Sequence, residues 1–69
     1  MKVVTEVAGK VWKLEAKAGA QLAADETILI MESMKMEIPV VAPVAGKLRA
    51  LLVKEGDALN EGDAVAEME

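Results

Sequence analysis

Apolar positions along this chain fall in short clusters, and none of them keeps a helical period. Met1 to Glu6 predicts a first strand, which Ala8-Gly9 breaks. Lys10 to Leu14 predicts a second, with only partial alternation, and Gln21-Leu22 a short extended piece after a turn at Lys17-Ala18-Gly19-Ala20. Ala24-Asp25-Glu26 turns the chain into a strand from Thr27 to Met31, and Ile38 to Ala42 returns. Pro39 places that returning strand at an edge, or turns its missing N–H away from a ladder. Pro43 and Gly46 punctuate the next turn, before a long strand from Lys47 to Val53. Glu55-Gly56-Asp57 and Glu61-Gly62-Asp63 are turns on either side of Ala58-Leu59, and Ala64 to Met68 closes the pattern. Short strands between regular turn signals predict an all-β sandwich or barrel. Glu15-Ala16-Lys17-Ala18 contains good helix formers, but Gly19 interrupts before an amphipathic stripe develops.

The pattern repeats. Val7-Ala8-Gly9-Lys10 recurs as Val44-Ala45-Gly46-Lys47, and Gly19 matches Gly56 at the same 37-residue offset without a gap. Leu14 matches Leu51, Lys17 matches Lys54, Leu22 matches Leu59, and Met31-Glu32 matches Met68-Glu69. The expectation is one domain, 1–69, of two repeats, about 7–32 and 44–69. Each half is expected to form one sheet with a single apolar face, closed on its twin about a pseudo-twofold axis. Asp25 stands where the second half has Gly62, and Asp tolerates a left-handed turn better than most residues. Trp12 aligns with Arg49, an outward-type residue, so Trp12 is expected to be partly exposed, as a docking anchor or, more commonly for such a residue, packed across a sheet edge.

Composition narrows the chemistry. At 69 residues, 54% of them apolar, the chain can build one small core. That core must be aliphatic, because Trp12 is the only aromatic residue. A chain without histidine or cysteine has no zinc site of the usual kind, no Cys–His or Ser–His nucleophile and no disulfide. Paired carboxylates for acid–base work would need a cleft, which so small a barrel is not expected to have. The formal net charge is −4 and the basic residues are scattered, which argues against a nucleic-acid surface and for basic partner proteins. No apolar run is long enough for a membrane helix, no secretory leader is evident, and the cytoplasm is the expected compartment.

One stretch disregards its own turn chemistry. Thr27 to Met31 and Ile38 to Val41 read as a hairpin joined by Glu32-Ser33-Met34-Lys35-Met36-Glu37. Tight hairpin turns favour Asn-Gly or Gly-Gly, since the central residues need positive φ. Methionine and lysine are poor choices there, so the position is a candidate for function rather than folding. The repeat places this tip and the two termini at opposite ends of the domain. A lysine is an ammonium at neutral pH, so activation must come from a partner. Met34 and Met36 supply soft apolar contacts beside it. Glu32, Ser33 and Glu37 are candidates for recognition by a modifying enzyme.

This hexapeptide, with Pro39 after it and Ala42-Pro43 before Gly46, resembles the biotinyl domain of biotin carboxyl carrier proteins. The family's Ala-Met-Lys-Met run appears here with Ser33 in place of the alanine. The likeness spans essentially the whole chain. It implies a flattened β-barrel or sandwich of two four-stranded antiparallel sheets with pseudo-twofold symmetry, the biotinyl/lipoyl fold. An insertion known as a thumb in some acetyl-CoA carboxylase carriers has no room here. The resemblance implies a non-catalytic carrier with biotin amide-linked to Lys35 by a biotin protein ligase; the need to travel between partners favours a monomer. Biotin carboxylase and carboxyltransferase would be its further partners. Lipoyl domains share the fold but usually have Asp-Lys-Ala at the tip, so the methionines favour biotin over lipoate. A lipoyl carrier, or a protein accepting both groups, is the alternative.

Overall fold

The computed structural model describes all 69 residues, and every regular element in it is a strand. The eight strands are β1 (Lys2–Val4), β2 (Gly9–Leu14), β3 (Gln21–Leu22), β4 (Thr27–Ser33), β5 (Met36–Val41), β6 (Gly46–Leu51), β7 (Ala58–Leu59) and β8 (Ala64–Met68). They pair antiparallel into two four-stranded sheets, ordered β1-β8-β6-β3 and β5-β4-β2-β7.

The 37-residue offset carries one sheet onto the other strand by strand: β1 onto β5, β2 onto β6, β3 onto β7 and β4 onto β8. The correspondence takes in β1 and β5, upstream of where the sequence repeat becomes visible. It also corrects one expectation, because neither half forms a sheet by itself. β3 crosses to pair with β6, and β7 crosses to pair with β2. Each two-residue strand thus completes the edge of its twin's sheet. The halves are thereby interlocked.

The core obeys the same offset. Val3 and Val40, Val11 and Leu48, Ala16 and Val53, Ile28 and Val65, Leu29 and Ala66, and Met31 and Met68 are all buried. Leu22 is buried, and its counterpart Leu59 packs against the cluster. Each large aliphatic side chain among these contributes about 1.5–3 kcal/mol by leaving water. Leu48 is fully buried while Leu51 is only half-buried, which resolves an ambiguity that alternation leaves in Leu51-Leu52-Val53.

Gly19, Gly56, Gly62 and Asp25 all have positive φ, so Asp25 does hold the turn that glycine holds in the second half. Glycine breaks the chain less than expected at Gly9 and Gly46, which begin β2 and β6. Both middle strands carry a bulge at equivalent places, Val11 to Lys13 opposite Ile30 and Leu48 to Ala50 opposite Glu67. Pro39 lies on β5, an edge strand. Trp12 lies on β2, whose far side pairs with β7 only at Gly9 and Lys10. The molecule measures 30 × 17 × 17 Å.

Candidate functional site

From the Leu29–Val40 pair onward, β4 and β5 run without interruption to a two-residue turn. Ser33 pairs with Met36, leaving only Met34 and Lys35 between the strands. Met34 has φ 52° and Lys35 φ 65°, the left-handed pair that such a turn requires. Left-handed backbone costs a non-glycine residue roughly 1–2 kcal/mol. The tip therefore spends conformational energy to project two side chains. Met34 is 93% exposed and Met36 64% exposed, so neither methionine fills the core. Lys35 is exposed and engages in no hydrogen bond or salt bridge. Its amine is thus open to solvent.

The hairpin stands on a firm base. Below Ser33 and Met36, Glu32 faces Glu37 across the ladder, and Lys10 of β2 faces Glu32 from the other side. Like charges directly opposite weaken pairing. Both glutamates are exposed, so water screens the repulsion and the two carboxylates remain presented beside the tip. Beneath them, Met31 is buried and its sulfur lies 3.0 Å from the Thr5 hydroxyl. That hydroxyl reaches the Val7 carbonyl at 2.9 Å and accepts the Val7 N–H at 3.2 Å. Thr5 is the only buried polar residue, and it ties the start of the chain to the hairpin strand.

The termini lie at the other end of β1. Lys2 pairs with Glu67, and the N-terminal ammonium donates to the Met68 carbonyl at 2.8 Å. From there β1 runs toward Thr5, on the hairpin side. Lys35 and the termini accordingly point to opposite ends of the long axis.

Sequence reasoning missed three supports of this site. Gly9 packs against the Glu32 backbone, Lys10 completes the charged row, and Thr5 anchors the base. Gly9 and Lys10 had a visible signal, their recurrence as Gly46 and Lys47, and Thr5 had none. The structure also contains a groove of about 490 Å³ between the edge strands β1 and β5, where no cleft was expected. It is lined by Met1 to Val7, Ile38 to Val41 and Pro43. Glu6 is its one carboxylate, so it offers no acid–base pair. Nowhere in the chain do three or more Asp or Glu side chains gather into a metal-binding group.

Comparison with known proteins gives one consistent answer about family. A family profile described as "Biotin-requiring enzyme" matches residues 1–68. The biotin/lipoyl attachment protein of Bacillus subtilis is 46% identical over 68 residues, covering 99% of this chain and 93% of that protein. The dihydrolipoyllysine-residue acetyltransferase component of the Pseudomonas aeruginosa pyruvate dehydrogenase complex is 38% identical over 61 residues, covering 88% of this chain and 11% of that protein. Among solved structures, the urea carboxylase of Kluyveromyces lactis superimposes with a TM-score of 0.91 at 36% identity. The match covers 96% of this chain and 6% of that much longer one.

Proposed function

This chain belongs to the biotin/lipoyl attachment family, whose domains are carriers rather than catalysts, and from that premise we propose that it carries biotin on Lys35 for a carboxylase. One observation supports the assignment of the residue above others. Lys35 is the amine held at the apex of a strained two-residue turn, exposed and without a partner.

Every other residue of the site serves presentation. The turn fixes where the amine stands, and the long side chain supplies reach. A ligase must take a proton from the Lys35 ammonium. The amine nitrogen then attacks an activated acyl group; the C–N bond forms, the activating group leaves and a second proton is lost. Lys35 would hold biotin, which would supply a ring nitrogen able to carry a carboxyl group. Met34 and Met36 give the ligase an apolar grip on either side of the amine. Glu32 and Glu37 offer it two carboxylates, and Ser33 sits half-buried at the foot of the turn. The carboxylase likeness supports a biotin carboxylase and a carboxyltransferase as the further partners.

Lipoate is the second reading, favoured by the likeness to the pyruvate dehydrogenase component. The methionines on both sides of Lys35 weigh toward biotin. Competition separates the two: the protein is incubated with a biotin ligase and a lipoate ligase, each with its own acid, and the intact mass is read. A biotinyl adduct formed faster than a lipoyl one is the expected result. A lipoyl adduct alone would reverse the assignment.

A further inference from the structure

The two outer faces of the sandwich share one plan and differ in chemistry at three equivalent positions. On the sheet without the hairpin, Lys2 pairs with Glu67, whose partner on β6 is Ala50, and the bulge residue Arg49 places its Nη1 3.5 Å from Glu67 Oε1. The 37-residue offset turns Lys2, Glu67 and Arg49 into Pro39, Ile30 and the bulge residue Trp12, with Ile30 paired to Pro39 on β5 and to Lys13, next to Trp12, on β2. Each of these adjoins a buried neighbour, Val40, Met31 and Val11 respectively, so alternation faces all three outward. Pro39 is exposed, Ile30 half-buried and Trp12 49% exposed. A charged row is the ordinary finish for such a face. At these three positions the face that carries the hairpin is apolar instead, although Lys13 and the Lys10–Glu32–Glu37 row adjoin them.

We propose that Trp12, Ile30 and Pro39 form a seat for the prosthetic ring tethered to Lys35, where the ring rests between visits to partner proteins. This deepens the carrier reading and rests on Lys35 being the attachment residue. The shared ligand chemistry is a saturated, sulfur-containing ring on an aliphatic acyl chain, found in both biotin and lipoate.

Reach permits it. The row lies three residues behind the Ser33–Met36 pair, on the order of 10 Å at about 3.4 Å per residue. About ten bonds of about 1.5 Å each separate the lysine Cα from the ring. Size favours a ring over a protein. The apolar strip is one side chain deep, with Lys10, Glu32 and Glu37 on its tip side and the Lys13–Glu15 ion pair, 3.5 Å, close by. A stable protein interface needs about 800 Å² from each partner. Tethering makes a weak contact sufficient, because the effective concentration of the ring is on the order of mM.

The test uses the chain's single tryptophan. Acrylamide quenching of Trp12 is compared in the unmodified, biotinylated and lipoylated proteins, with loading verified by intact mass. A contact of mM affinity would be made about half the time at mM effective concentration, so the quenching constant should fall by roughly a third to a half on loading. Ile30→Glu with Pro39→Lys, which copies the other sheet's row, should load normally and lose that difference. Pro39→Lys alone, at an exposed position, serves if the double variant does not fold, and should at least halve the difference. A fall with biotin only, or with lipoate only, identifies which ring the seat fits. Equal quenching with and without either group would overturn the proposal and leave the face to a partner protein. A change that survives the substitutions would overturn it as well. Absence of any adduct on Lys35 would instead refute the carrier reading. The seat would then be judged on Lys35→Cys alkylated with a biotin reagent, in a chain with no other thiol.

Discussion

Gly9 lies against the carbonyl oxygen of Glu32, so closely that a methyl group on its Cα would collide with that oxygen and the adjacent Ser33 Cβ. Gly46, its counterpart one repeat later, would place the same methyl 3.5 Å from the Glu69 carbonyl and the Met68 methyl, an ordinary contact. Two glycines that look alike in the sequence therefore differ in what they protect. One sets how tightly β2 holds the root of the Lys35 hairpin. The other could be filled.

The consequence is measurable by denaturant unfolding. Gly9→Ala should destabilise the protein by about 1–3 kcal/mol, the usual cost of forcing an atom into a packed site. Gly46→Ala should be neutral, or gain a few tenths of a kcal/mol from a stiffer unfolded chain. Equal losses at both positions would contradict the asymmetry.

The turn itself is expected to be a liability that folding would not choose. Met34→Gly should stabilise the protein by about 0.5–1.5 kcal/mol, through relief of left-handed strain less the entropy glycine adds. It should also slow modification of Lys35. A stability loss on this change would mean that Met34 packs in a way its exposure does not suggest.

In the core, Leu48→Ala should cost about 2–5 kcal/mol, since its side chain is fully enclosed. Leu51→Ala should cost distinctly less, because Leu51 packs against the cluster from a half-exposed position. Chemical denaturation of the two variants side by side checks the order.

Much of this was legible beforehand because it depends on local chemistry. The 37-residue spacing, the turn residues and the misfit of Met34-Lys35 in a tight turn all sit in the sequence as type and distance. What stayed hidden depends on partners far along the chain. β3 is two residues long and carries no information about which half it joins. The bulge at Trp12 is defined by its neighbours Val11 and Lys13, which pair with the consecutive residues Met31 and Ile30, and leaves no mark on Trp12 itself. Thr5 reads as one more strand residue until Met31 is set beside its hydroxyl. The groove between β1 and β5 exists only because two edge strands from different halves face each other.

Methionine at the tip has a separate test. Met36→Leu keeps volume and apolarity, so unfolding stability should change by less than about 1.5 kcal/mol. The rate of biotin transfer by a ligase should fall, because the flexible thioether is replaced by a branched side chain at an exposed contact. An unchanged rate would reduce Met36 to an apolar spacer.

The central claim concerns one nitrogen atom. Intact-mass analysis of the protein and of Lys35→Arg, each incubated with biotin ligase, biotin and ATP, tests it most directly. The account predicts a single biotinyl adduct on the parent chain and none on the variant, with both unfolding at the same denaturant concentration. An adduct of equal yield on Lys35→Arg would contradict it.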